Sequence, residues 1–175
     1  YGIPAVPYVL IGRTFKDEEL SAIDPPYVLK PVDSQGQRGI YKCDSLEALR
    51  EKLSSTFLYT REDKILVEAF YPNDEVTLSG WVDRGEVHVL TITDRVTFDP
   101  SKQLGVCMAH DAPSKHLKQH GNAFVVLAKH ICSAFNITEG PIYFQFLVGD
   151  QGIRVNEIAC RIGGAYEDLF IPYLT

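Results

Sequence analysis

The sequence predicts an α+β fold in two lobes. Strand-like and helix-like stretches mix along it without the regular βαβ alternation that builds a parallel sheet. Two segments, 44–55 and 116–136, carry the apolar period of helices, and two others, 75–96 and 143–164, read as hairpins with glycine in the turn. The first lobe is expected to span residues 1–70 and the second 71–175.

Taken in order, "PAVPYVLI" (4–11) is apolar and proline-punctuated, an entry strand. "TFKDEELSAI" (14–23) offers Thr14 as an N-cap and acids in its first turn, so it reads as a short helix. "YVLKPV" (27–32) is a strand, "DSQGQRG" (33–39) a polar loop, and "IYKC" (40–43) a returning strand. In "DSLEALREKLSS" (44–55), Asp44 or Ser45 caps a helix whose Leu46, Leu49 and Leu53 fall at i, i+3 and i+7. "KILVEAFY" (64–71) is a strand, 75–96 a hairpin turning at Asp83–Gly85, and 116–136 a helix entered after Pro113 and Ser114. Trp81 and the other strand aromatics are expected in the core.

Composition narrows the function. The chain of 175 residues is 45% hydrophobic and 23% charged, enough apolar material for a sizeable core. A net charge of −6 argues against nucleic acid. No apolar run reaches the roughly 18 residues a membrane span needs, and no secretory signal opens the chain. The four cysteines are scattered without a CxxC pair, which suits reduced thiols in a cytoplasmic protein better than a zinc site. The opening "YGIPAVP" and closing "LFIPYLT" both suggest a piece cut from a longer protein.

The most informative stretch is "YFQFLVGDQGIRVNEIACRIGG" (143–164). With Asp150, Gln151 and Gly152 as a three-residue loop, Gly149 faces Ile153, Leu147 faces Val155, and Gln145 lies opposite Glu157. Ala159 and Arg161 continue that face in steps of two, while Phe144, Phe146, Val148 and Ile158 take the other. An amide, a carboxylate and a guanidinium in line suit Mg²⁺ shared with phosphate oxygens, with Arg161 neutralising a phosphate. The same residues also read as a solvated ion pair on an exposed face.

Two further constellations point the same way. Lys30 ends an apolar strand before a loop holding Gly36 and Gly39, whose backbone N–H groups can close over phosphates, although the P-loop pattern is absent. In "ILVEAFYPNDEV", Glu68 ends a strand and Glu75 follows seven residues on. The backbone of Ala69, Phe70 and Tyr71 can meet an adenine edge and a carboxylate the ribose, though alone this stretch also reads as an exposed acidic linker.

Together, and in this order, these constellations resemble the ATP-grasp family of carboxylate–amine ligases, from "GIPAVP" through "ILVEAF", "EVTLSGWV" and "LTITDR" to "NEIACRIGG". The resemblance implies ATP between two α+β lobes. Lys30 would touch the phosphates, Ser34, Gln35, Gly36 and Gly39 would belong to the loop folding over them, Glu68, Ala69 and Phe70 would bind adenine, and Glu75 the ribose. Gln145 and Glu157 would hold Mg²⁺, and Arg161 would act with Lys30 on the transferring phosphoryl group. A carboxylate would become an acyl phosphate and then be attacked by an amine. That chemistry needs positioning and charge neutralisation more than a protein nucleophile.

Gln145 stands where many members carry Glu, as in the carbamoyl-phosphate-synthetase-like branch, and Ala159 where many carry Asn. "EIACRIGG" is closer to amino-acid ligases. The resemblance further implies an absent N-terminal domain and is compatible with a homodimer. Two alternatives stand beside the ligase: a degenerate ATP-grasp module that binds nucleotide for regulation, and a small-molecule kinase. Arg95 is expected either near an acceptor or phosphate or in a surface ion pair.

Overall fold

A computed structural model describes residues 1–98 and 104–175. They form two compact units, one comprising Val6–Tyr71 with Phe98–Val106, the other Tyr1–Ala5, Pro72–Thr97 and Cys107–Thr175.

In the first unit, β1 (Tyr8–Gly12), β2 (Tyr27–Pro31), β3 (Tyr41–Cys43) and β4 (Lys64–Ala69) form an antiparallel sheet in the order β1-β4-β2-β3. Strand alternation sends Tyr27, Leu29, Ile65 and Val67 into a core shared with Ile11 and Leu49, and turns Lys30 and Glu68 to the opposite face. Helix α1 (Leu46–Phe57) covers the core face, and Ser45 caps it by accepting the Ala48 N–H at 3.2 Å.

The helix expected over 14–23 is only a 3-10 turn, Asp17–Leu20. Its apolar anchors, Phe15, Leu20 and Ile23, flank an acidic run and supply no stripe along which a longer helix can pack. The Lys16 N–H donates to the Glu19 carboxylate at 2.7 Å, closing the single turn.

In the second unit, β5 (Asp74–Asp83), β6 (Glu86–Thr97), β7 (Cys107–Asp111), β8 (Gly140–Gly149) and β9 (Gly152–Ala159) make an antiparallel sheet in the order β7-β6-β5-β8-β9. Helix α2 (Leu117–Ala134) lays Phe124, Ala128, Ile131 and Cys132 in one core with Val76, Leu78, Phe144 and Phe146. The rings of Phe124 and Phe146 stack at 5.2 Å between centroids. Each such side chain contributes roughly 1.5–3 kcal/mol by burial.

The residues between these apolar ones, Glu75, Thr77 and Ser79 on β5, Thr91, Thr93 and Arg95 on β6, and Tyr143 and Gln145 on β8, share the other face of the same sheet. Strand β7 and helix α3 (Glu167–Leu174) were not foreseen from the sequence. The expected entry strand is split. Ala5 bridges Val155 in the second unit, and β1 begins only at Tyr8, because Pro4 and Pro7 have no N–H to continue a ladder. Trp81 is 47% exposed, not core, since Val82 beside it takes the inward position.

The 143–164 hairpin corrects the expected register. Gly149 pairs with Gly152, Val148 with Ile153, Leu147 with Arg154 and Phe146 with Val155. Only two residues form the turn, and Gly152 takes φ +91°, a left-handed conformation open to glycine. A bulge between Gln145 and Phe146 then absorbs Asn156, so that Gln145 does face Glu157. Val155 therefore packs on the core beside Ile158, and not with Leu147.

Among the described residues no helix is long and apolar enough to cross a membrane. All four cysteines are free, and burial pushes the thiols of Cys43 and Cys132 up to about 11.

Candidate functional site

The polar face of the five-stranded sheet is organised around Glu75. Its Oε2 accepts Arg95 Nε at 2.9 Å and Gln145 Nε2 at 2.7 Å, and Arg95 Nη1 donates to Tyr143 Oη at 2.9 Å. Arg95 is 7% exposed and Glu75 15%, so this is a buried ion pair, not a surface one. Burial works against the Arg95 charge, yet Tyr143 and Glu75 beside it hold the guanidinium above its ordinary pKa.

At the outer strand, Glu157 lies directly across from Gln145, and Arg161 approaches it at 3.7 Å with both side chains about half exposed. Arg161 Nη1 also donates to the Ile162 carbonyl at 2.9 Å.

Beyond β9 the chain folds back through two glycines into α3. Glu167, fully buried, accepts the Ser79 hydroxyl at 2.5 Å and the Gly163 N–H at 3.0 Å, both on Oε2, while Oε1 is buried without a hydrogen-bond partner. Burial pushes this carboxyl up.

On the next strands, His110 Nδ1 pairs with Thr93 Oγ1 at 2.8 Å, and its ring lies tilted against that of Phe170 with centroids 4.9 Å apart. Burial, then the charge of Arg95, holds the imidazole down to about 4, so it is neutral at neutral pH. Asp94 accepts the Ser114 hydroxyl and the Lys115 N–H, fastening the entry to α2.

In the other unit, Lys30 and Glu68 lie on the face of the four-stranded sheet away from α1, and their side chains pair at 2.5 Å. Tyr8 and Leu10 share that face and are about half exposed. The N–H groups of Ala69 and Phe70 already donate to Pro7 and Pro26 carbonyls at 2.9 and 2.7 Å. An adenine edge would therefore have to meet other backbone atoms here.

The loop holding Ser34 and Gln35 continues through Gly36, Gln37 and Gly39, all with φ between +61° and +76°. Gly39 cannot be larger, since a Cβ there would lie 2.7 Å from the Tyr59 ring.

Tyr143, His110 and Glu167 in these networks were not assigned from the sequence. The alternation of polar residues in "EVTLSG" (75–80) and "TITDR" (91–95) marks the hydrophilic sheet face that holds their partners Ser79, Thr93 and Arg95.

No three His, Cys, Asp or Glu side chains among the described residues group closely enough to cage a metal. Mg²⁺ does not require a cage. It keeps several waters and takes one or two protein oxygens together with phosphate oxygens. A glutamine amide and a carboxylate at paired positions of β8 and β9 supply oxygen donors of the kind that set needs.

A family model described as the ATP-grasp domain matches residues 23–167. The chain belongs to the ATP-grasp family. Among solved structures, this ATP-grasp chain is similar to an L-amino acid ligase from Bacillus licheniformis, with a TM-score of 0.75 and 22% identity over 94% of this chain and 38% of that one. It is similar also to the biotin carboxylase domain dimer of 2-oxoglutarate carboxylase from Hydrogenobacter thermophilus, in complex with MgADP, ADP and bicarbonate (TM-score 0.76, 20% identity, 94% and 38% coverage). A third is the D-alanyl-alanine synthetase A from Vibrio cholerae, at 0.73 and 14% over 90% of this chain and 50% of that one. At these identities the likeness is one of fold, and the chain spans 38% of the first two relatives' length. No curated protein matches.

Proposed function

We propose that this chain is the ATP-binding core of an ATP-dependent carboxylate–amine ligase that works through an acyl phosphate. The observation that carries this reading is the pairing of Gln145 with Glu157 across β8 and β9, with Arg161 four residues further along the chain.

In the four-stranded unit, Lys30 engages phosphate oxygens, exchanging its Glu68 partner for them. The Ser34–Gly39 loop offers N–H groups to the same phosphates, and the Glu68–Phe70 strand end takes the adenine. In the five-stranded unit, Gln145 and Glu157 hold a divalent cation, and Arg161 draws the charge of the transferring phosphoryl group. The cation, when bound, neutralises phosphate charge during transfer. A carboxylate oxygen attacks the γ-phosphorus and ADP leaves. An amine then attacks the acyl carbon, the C–O bond to phosphate breaks and the amine's proton leaves with the phosphate, so atoms and charge balance without a protein nucleophile. The whole protein's partners on this reading are ATP, a small carboxylate and an amine acceptor.

Calorimetric titration with Mg·ATP tests the reading. Lys30→Ala and Glu157→Ala should each weaken binding by at least about ten-fold, roughly 1.4 kcal/mol or more. Unchanged affinity in both would refute it. ADP release separates the chemistries: release that needs both carboxylate and amine marks a ligase, release with a carboxylate alone a kinase, and binding without release a regulatory module.

A further inference from the structure

The Gln145 amide is an unusual choice for a cation site, because it brings no charge and its two ends are nearly the same shape. Left to itself, such an amide would present either end. Here it is not left to itself. Its Nε2 donates to Glu75 Oε2 at 2.7 Å, and the same oxygen is held by Arg95 Nε at 2.9 Å. Arg95 in turn is buried and fixed by Tyr143 Oη.

A carboxylate paired with a guanidinium only accepts hydrogen bonds, so the amide must turn its NH₂ toward Glu75. Strand β8 has β5, bearing Glu75, on one side and β9, bearing Glu157, on the other. The nitrogen goes to the β5 side. Oxygen and nitrogen diverge from one planar carbon, so with the nitrogen held on the β5 side the oxygen is the end left to turn toward Glu157, which stands opposite Gln145 on β9.

We propose that Glu75 and Arg95 are positioning residues that lock the Gln145 amide with its oxygen toward Glu157, making a neutral side chain serve as a ligand to a divalent cation. The proposal rests on the reading above that Gln145 and Glu157 hold that cation. It has a consequence opposite to charge counting. Replacing Gln145 by Glu adds a negative charge to the site, which alone should strengthen cation binding. It also sets a second carboxylate at hydrogen-bond distance from Glu75, where the like charges repel and one side chain must move away.

The test is a double-mutant cycle on Gln145→Glu, Glu75→Gln and the two together. Mn²⁺ binding in the presence of ADP is read by electron paramagnetic resonance, and thermal unfolding is followed without metal. With Glu75 present, Gln145→Glu should leave Mn²⁺ affinity unchanged or weaker and lower the Tm by roughly 5 °C. In the Glu75→Gln background the same change should tighten Mn²⁺ at least ten-fold and restore the Tm. Equal fold-changes in Mn²⁺ affinity in the two backgrounds would overturn the proposal, and a restored Tm in that case would mark the pair as structural only. Arg95→Lys, which keeps the charge but loses the guanidinium fork, gives a second handle: Mn²⁺ binding should weaken several-fold, and unaltered binding counts against the lock. If neither wild type nor any variant binds Mn²⁺ with ADP, the cation reading itself fails and this proposal falls with it.

Discussion

Gly163→Ala should destabilise the five-stranded unit by about 3 kcal/mol, although the change adds one methyl group. A Cβ at Gly163 would lie 2.5 Å from the Glu167 carboxyl carbon and oxygen and 2.6 Å from Tyr143 Cδ2. Neither neighbour can retreat easily. Glu167 is fully buried and held by Ser79, and Tyr143 is 4% exposed and tied to Arg95. Overpacking of this kind costs about 1–3 kcal/mol. Moving Glu167 also strains the hydrogen bond from the Gly163 N–H, and a typical hydrogen bond contributes roughly 0.5–1.5 kcal/mol. Taking about 3 kcal/mol for the sum, and about 2–4 °C per kcal/mol at this size, the Tm should fall by roughly 6–12 °C. The adjacent Gly164 is the control, because a Cβ there meets nothing within 4 Å. Gly164→Ala should change stability by no more than about 0.5 kcal/mol. Urea unfolding of the two variants beside wild type measures both. If Gly163→Ala proves as mild as Gly164→Ala, the close packing of the turn against Glu167 and Tyr143 is wrong.

Two pH-dependent outcomes follow from the same face. His110 is held down to about 4 when folded against an ordinary 6.5, so the unfolded chain takes up a proton that the folded protein refuses. Its contribution is complete above about pH 6.5 and is lost as pH falls toward 4, by at most about 3 kcal/mol. Wild type should lose more stability than His110→Gln between pH 7 and 4.5, and parallel losses would count against the burial of a neutral ring. Glu167 shifts the other way. Its folded carboxyl holds a proton above the ordinary carboxylate range, so stability falls as pH rises through that range. Glu167→Gln should therefore gain on wild type between pH 4 and 8, and a difference that does not change with pH would contradict this.

Much of the fold is local and could be read from the sequence. The α1 cap at Ser45 and the stripe of Leu46, Leu49 and Leu53 are short-range patterns, and they appear as expected. The hairpin shows how a right pairing can come from a wrong path. A turn one residue shorter than expected and a bulge one residue longer cancel, so Gln145 meets Glu157 although Val155 changes face. Nothing in the residue types around Asn156 announces a bulge, because it is set by how two strands coil against the core. Helix α3 was hidden for a local reason: Pro172 lies inside it, and no capping side chain precedes it. The Arg95–Glu75–Gln145 network joins three strands across 20 and 70 positions of sequence, and no window of sequence contains it.

The first five residues belong to the same unit as the last strand. The Pro4 carbonyl accepts the Val155 N–H at 2.8 Å, and Ala5 completes a parallel bridge to that residue. Ala5 and Val155 lie 150 positions apart, so the earlier segment waits for most of its unit to be made before its partner exists. Phe98 and residues 104–106 likewise belong to a unit whose strands, β1 to β4, all precede them in the chain. Neither unit can thus finish as an independent early product of the ribosome. Closing such distant contacts slows folding and leaves the Pro4–Ala5 segment unpaired until β9 is made. A chaperone's demand on this protein should be heaviest over that interval.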